Sequence, residues 1–339
     1  MKQVSKNIYF IAEIGVNHEA NLNLAFKCIK QAKEGGASAV KFQCYKAEKI
    51  ASRFAGSYWD KNQEKEGSQL KLYKKLDKFN FADYQKIFEF CKKIKIDFIV
   101  TPFDLDSINF FKNKVKYFKI SSSDITNFPL LKKVAKTKKP IILSTGASTK
   151  NEITSAIKIL KKETNKIVIL HCILNYPTKK YNANLNMIDD LKKYNFPVGL
   201  SDHTLPRDSH EVLKYAYLKG VRFYEKHFTF DKKKKGNDHF HSFDKKDLIY
   251  FFTGINEINL ILGSDKKTYL KSEVISRLNA RRSIFLNTDL KKGQKIKKKN
   301  LIMLRPAIGI CPSNINKVLN KKIKKNKTKG DILKFSEII

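Results

Sequence analysis

The chain has 339 residues, 42% of them hydrophobic, with 69 basic and 32 acidic side chains and a net charge of +37. That length and apolar share are enough for a sizeable folded core and exclude a disordered chain. Apolar runs fall short of the ~18 residues a membrane helix needs, no secretory leader is expected, and five cysteines without close pairs exclude a disulfide framework and fit a reducing cytoplasm. Taken in chain order, the first predicted strand is Ile8–Ile14. LNLAFKCIKQAKEGG follows it, with Leu24, Cys28, Ile29 and Ala32 at helical spacing and a glycine pair at the end. A second strand, Ala39–Gln43, leads into a long polar stretch, 44–79, read as an insertion. Strands are then predicted at Asp97–Pro102, Tyr117–Ser121 and Pro140–Thr145. TKNEITSAIKILKKE opens with Thr149 and Glu152 at capping-box spacing and continues with Ile153, Ala156, Ile157 and Leu160. Strands Ile167–Cys172, Pro197–Ser201 and Val221–His227 alternate with helical patterns in NLNMIDDLKKYN, HEVLKYAYLKG and KKDLIYFFTGINEINLILG.

Eight strands alternating with helices predict an α/β fold, a parallel sheet closed as a (β/α)8 TIM barrel over residues 1–264. A doubly wound open sheet is the competitor, and it lacks its G-x-G-x-x-G fingerprint here. After a linker at 265–280 the pattern changes. Residues 281–339 have short apolar runs and glycine turns, which predict a small β-rich domain. The lysine excess is scattered in runs such as DKKKKGN and NKKIKKNKTKG. No nucleic-acid motif gathers it, so no nucleic-acid partner is expected, although such a surface attracts small anions.

Barrels of this kind keep their chemistry at the carboxyl ends of the strands. Those ends are polar here: Glu13; Lys41 and Gln43; Thr101; Lys119 to Asp124, with Ser121 and Ser122; Ser144 and Thr145; His171, with Asn175 and Tyr176 beyond; Ser201, Asp202 and His203; Glu225 and His227. Lys41 with Gln43, Lys119 with Ser121, Ser201 with His203 and Glu225 with His227 are two residues apart, so each pair leaves its strand on one face. Polar groups from all eight strands are therefore expected to point into one cavity. His203 and His227, on neighbouring strands, are expected to share a divalent cation with open positions. His239 and His241 in GNDHFHS are an alternative pair. Glu13 or Glu225 could orient the metal's water or move a proton. Lys119 with Thr101, Ser121, Ser122, Ser144 and Ser201 suits a phosphate or carboxylate.

In order along the chain, AEIGVNHEANLNLAFKCIKQAKEGGASAVKFQ, FKISSSD, LSTGAST, LHCILNYPT, GLSDHT, EKHFT and RPAIGI together resemble the sialic acid synthase family. Those enzymes condense phosphoenolpyruvate with an N-acetylated hexose to make nonulosonic acids. The resemblance implies that 281–339 is a SAF (antifreeze-like) domain that packs over the partner's barrel in a domain-swapped homodimer. It implies that His203 and His227 ligate Mn²⁺ or Mg²⁺, and that Lys41, Thr101, Lys119, Ser122, Ser144 and Ser201 contact phosphoenolpyruvate. Glu13, Gln43, Tyr176, Glu225 and Asp238 fall around the sugar and its aldehyde, and Arg305 is the arginine sent to the neighbouring subunit's N-acetyl group. The chain departs from the family at Leu174, where Asn is common, at Ser121, where Gly is frequent, and at Asn237, where Pro is frequent. A Schiff-base barrel aldolase using Lys119, and a basic nucleic-acid- or carbohydrate-binding protein without catalysis, are the rival readings.

Overall fold

The computed structural model describes residues 8–62, 64–236 and 238–339. Two compact units divide between Leu262 and Gly263. In the first, strands β1 (Tyr9–Gly15), β2 (Ala39–Cys44), β3 (Asp97–Pro102), β4 (Phe118–Ile120), β5 (Ile141–Ser144), β6 (Ile167–Cys172), β7 (Val198–Asp202) and β8 (Phe223–His227) close a parallel barrel in sequence order. The expected TIM barrel is thus present. Nearly every strand residue is buried, because helices cover the outside of the barrel and side chains fill its inside.

Helix α1 (Leu22–Glu34) starts where Asn21 accepts hydrogen bonds from the backbone of Asn23 and Leu24. In the insertion after β2, α2 (Ala47–Ile50) and α3 (Gln69–Leu76) flank an antiparallel bridge between Gly56 and Ser68. The outer shell continues with α4 (Phe81–Lys93), α5 (Leu105–Phe111), α6 (Phe128–Ala135), α7 (Lys150–Leu160), α8 (Met187–Lys192), α9 (Pro206–Leu218) and α10 (Lys245–Leu262). The predicted capping box of α7 forms between Thr149 and Glu152, and α4 has a second one from Asn80 and Asp83. No helix among the described residues is long and apolar enough to cross a membrane.

Inside the barrel, Ile11, Ala39, Ile99, Ile142, Val168 and Leu170 form one buried layer, packed against Tyr9, Tyr117 and Phe223. These three aromatics lie nearer the amino ends of their strands, and the Tyr9 ring centroid is 5.4 Å from each of the other two. Tyr9 also donates a 2.7 Å hydrogen bond to Asp97. The polar strand ends are therefore stacked on an apolar floor. Gly199 in β7 lets this interior close: a Cβ there would lie 2.4 Å from Leu170 Cδ2 and 2.5 Å from the Phe223 carbonyl oxygen. Gly199→Ala is expected to cost about 1–3 kcal/mol from overpacking. Urea unfolding checks this, and an unchanged midpoint would mean that β7 can move outward without loss.

In the second unit, α11 (Val274–Ala280) precedes an antiparallel pair, β9 (Ser283–Leu286) and β10 (Leu301–Leu304). Residues 266–280 contain no glycine or proline, so part of the stretch expected as a linker is helical. An isolated bridge between Phe285 and Ile332 ties a later segment to β9, and Ile284, Leu286, Ile296, Ile310, Val318, Ile323 and Leu333 bury a core of their own.

Candidate active site

Strand parity decides what reaches the top of the barrel. The residues two beyond the apolar layer on β1 and β2, Glu13 and Lys41, are paired in register, as are Ser201 and Glu225, and Glu13 and His227. A register shift between Glu13 and Gly15 ends β1. Gly15 has φ +53°, a conformation open to glycine, and a Cβ there would lie 3.1 Å from Glu13 Oε1. Glu13, Lys41, Gln43, Thr101, Lys119, Ser122, Ser144, Tyr176, Ser201, His203, Glu225 and His227 all line one cavity of 350 Å³. Asp238 lies in an adjoining pocket that shares Gln43, Tyr176 and His227 with it. Arg305 is exposed on the second unit.

At the deep end of the cavity the charges are buried and paired. Lys41 Nζ is 2.6 Å from Glu13 Oε2 and 3.8 Å from Glu225 Oε1, and Lys119 Nζ is 3.2 Å from Glu225 Oε1. Lys41 also donates to Thr101 at 3.1 Å, Gln43 to Glu13 at 2.9 Å and Ser201 to Glu225 at 3.1 Å. Burial pushes the Glu225 carboxyl up, but the ammonium groups of Lys119 and Lys41 outweigh it and bring its pKa down to about 2. Burial lowers the pKa of Lys119, with Glu225 opposing it. At Lys41 the attraction of Glu13 and Glu225 exceeds the burial effect and the pKa rises. Neither lysine is a lone cation. The cluster is a preformed arrangement whose desolvation is already met by folding, and it leaves Ser144 Oγ and Glu225 Oε2 buried without a hydrogen-bond partner among the described residues. Orphaned groups of this kind in a cavity point to a ligand.

Above the lysines stand the imidazoles. His203 and His227 have ring centroids 5.5 Å apart, and Tyr176 packs 4.2 Å from His203. His203 Nδ1 is 2.8 Å from the Ile173 carbonyl oxygen. That contact fixes Nδ1 as the donor and leaves Nε2 as the lone-pair nitrogen. Burial, then the neighbouring His227, lowers the His203 pKa to about 3, so the ring is neutral. The alternative pair is divided. His241 lies beside His227, at 4.9 Å between centroids, whereas His239 turns to Thr229, 2.7 Å from its hydroxyl. Buried imidazoles with a carboxylate alongside are a donor set that fits a divalent cation.

Three of the polar strand-end residues do not face the cavity. His171 lies on the outer face of β6, with Nε2 2.7 Å from the Ala183 carbonyl oxygen. Thr145 donates to the Leu170 carbonyl oxygen, and Asp202 pairs with Lys226 outside the barrel. The expectation that a polar group from every strand enters the cavity is corrected for β6, which contributes Cys172 instead. These residues have the opposite parity from their active neighbours. Leu174 and Ser121, two positions where the chain departs from the resembled family, do line the cavity, and Asn175 is exposed. Asn237, the third, is outside the described residues. Sequence reasoning missed Tyr45, Tyr58 and Tyr73, which the insertion brings to the cavity. Its many aromatics in a polar stretch were the available signal.

The NeuB family model matches residues 28–267 and the SAF domain model matches 281–339. The chain belongs to the NeuB family. Within that family it is 38% identical to the N,N'-diacetyllegionaminic acid synthase of Campylobacter jejuni, over 97% of this chain and 99% of that protein. It is 32% identical to a pseudaminic acid synthase of the same species, over 97% and 96%. A crystal structure of N-acetylneuraminic acid (sialic acid) synthetase from Leptospira borgpetersenii, in complex with citrate, superposes with a TM-score of 0.69 at 35% identity, covering 80% of this chain and 90% of that one. NeuB membership and a SAF domain match the family resemblance found in the sequence.

Proposed function

We propose that the chain is a nonulosonic acid synthase. It condenses phosphoenolpyruvate with the aldehyde of an N-acetylated hexose and releases phosphate by C–O cleavage. The observation that carries this reading is the buried Lys41–Glu13–Glu225–Lys119 cluster beneath the His203–His227 pair, in a barrel of the NeuB family. Lys41, Lys119, Thr101, Ser122, Ser144 and Ser201 hold the small trianion at its phosphate and carboxylate ends. Glu13, Gln43, Tyr176, Glu225 and Asp238 surround the sugar. His203 and His227 would hold Mn²⁺ or Mg²⁺, which when bound supplies Lewis-acid polarisation of the aldehyde oxygen.

The chain's own part is positioning and proton transfer. Held at both anionic ends, the enol directs its terminal carbon at the aldehyde carbon. The carbon–carbon double-bond pair forms the new bond, and the carbonyl pair moves to the oxygen that becomes a hydroxyl. Water adds to the cationic C2 and loses a proton to a carboxylate, Glu225 or Glu13, which can return it to the new hydroxyl. Glu225 Oε2, buried and without a hydrogen-bond partner among the described residues, is the oxygen open to that proton. The C2–O bond to phosphate then breaks as the C2 hydroxyl gives its proton to the departing phosphate, leaving a keto acid and inorganic phosphate.

The proposed division is a catalytic barrel at 1–264, a linker at 265–280 and the SAF domain at 281–339. In a domain-swapped homodimer, Arg305 would reach the sugar site of the neighbouring barrel. Free cysteines throughout support a cytoplasmic location. The test is phosphate release by the purified chain from phosphoenolpyruvate with Mn²⁺ and each of N-acetylmannosamine, its 6-phosphate and a di-N-acetylated 6-deoxyhexose, with mass spectrometry of the nine-carbon product. EDTA-sensitive release is expected. Borohydride trapping of pyruvate on Lys119 without phosphate release would favour the aldolase instead. Arg305→Ala is expected to raise the KM of the sugar by about 10-fold or more, the value of one lost charged hydrogen bond, with little change in that of phosphoenolpyruvate. The reverse order would argue against a swapped arginine.

A further inference from the structure

His241 is enclosed on all sides and 0% exposed, yet neither of its ring nitrogens has a hydrogen-bond partner among the described residues. Buried imidazoles elsewhere in the barrel are engaged: His171 with the Ala183 carbonyl, His203 with the Ile173 carbonyl and His239 with Thr229. A ring left wholly unsatisfied in the interior is costly unless something occupies the space it faces. What it faces is polar. Its Nε2 is 3.8 Å from Asp238 Oδ1, and Asp238 Oδ2 is 3.2 Å from His227 Nδ1, a nitrogen that also lacks an aligned hydrogen bond. One donor atom from each of His227, Asp238 and His241 lies within 4.8 Å of the other two.

We propose that Asp238 and His241 are ligands of the divalent cation, so that the loop after β8 grips the ion together with the strand-end histidines. The inference rests on the proposed metal dependence and adds a loop imidazole and a loop carboxylate beside His227, whose ring centroid is 5.5 Å from that of His203. Imidazole nitrogen and carboxylate oxygen together make a donor set that a divalent transition-metal ion can occupy. Two of its members, Asp238 and His241, come from the loop after β8 and line the pocket that adjoins the main cavity.

The experiment uses the full chain and Mn²⁺ without substrate. Pulsed electron paramagnetic resonance of the Mn²⁺-loaded wild type is expected to show three coupled imidazole nitrogens. Calorimetric titration should show His241→Asn, which keeps polarity at the site, and His241→Ala weakening Mn²⁺ binding by at least about 10-fold, with one nitrogen coupling lost. Two couplings in the wild type, or wild-type affinity in both variants, would overturn the proposal while leaving the His203–His227 site standing, provided that His203→Ala still weakens binding. Failure of the wild type to bind Mn²⁺ at all would overturn this proposal and the metal dependence beneath it. The nitrogen count needs no variant, so a variant that fails to fold does not block the test.

Discussion

His227→Ala is expected to lower turnover in phosphate release by about 10³-fold, the loss seen when one preorganised group at a reacting centre is removed, while the barrel remains folded. His227 is the shared neighbour of every candidate donor. It is in register with Glu13, its ring centroid is 5.5 Å from that of His203 and 4.9 Å from that of His241, and Nδ1 is 3.2 Å from Asp238. Continuous phosphate assay with circular dichroism checks both halves of the expectation, and full activity in a folded variant would remove the electrophilic role from this part of the rim. His171→Ala provides the contrast. It should cost about 1–3 kcal/mol by stranding the Ala183 carbonyl, yet leave kcat near wild type, because His171 faces the helical shell.

The largest stability effect is expected one residue away, on the other side of the same strand. Lys226 is buried between Glu225 and His227 in sequence but points outward, where Nζ donates to Asp202 at 2.8 Å and to the Thr204 carbonyl oxygen at 2.5 Å. Asp202 in turn accepts from Thr204 and Ser209. Asp202→Asn would leave an ammonium in the interior without its counter-charge, and about 3–5 kcal/mol of stability is expected to be lost. The double variant Asp202→Asn/Lys226→Met removes the stranded charge and should recover most of that loss. Urea unfolding of the three proteins decides it. A single variant as stable as wild type would show that the ammonium finds water or another acceptor. The pair also ties the loop that carries His203 to the strand that carries His227, so the single variant should bind Mn²⁺ more weakly as well.

The barrel was legible because its signal is repetitive: an apolar strand followed by a helix with identifiable caps, as at Thr149 and Glu152, recurs along the first unit. Much of the site was legible for a related reason. Period-two alternation places Lys41 with Gln43 and Glu225 with His227 on one face, whatever the rest of the fold does. Residue type alone would also admit His171, Thr145 and Asp202, but alternation turns Thr145 away from Ser144 and Asp202 away from Ser201 and His203, and a polar side chain at a strand end can face the helices if it finds a partner there. Cys172 was passed over because a thiol reads as apolar. Tyr58 and Tyr73 could not be placed at all, since a long insertion carries no period that fixes where its side chains return. His241 and His239 sit in a 3₁₀ turn, where two-residue spacing sends side chains in different directions, and only coordinates separate them.

Because Tyr9, Tyr117 and Phe223 pack against the apolar layer inside the barrel, the cavity rests on an apolar floor at the amino ends of the strands. Lys41 and Lys119 are sunk at its back, while Gln43 and Tyr176 are half-exposed toward the entrance. A three-carbon acid bound at the lysines would be shut in by any sugar seated in front of it. Phosphoenolpyruvate is therefore expected to bind ahead of the hexose.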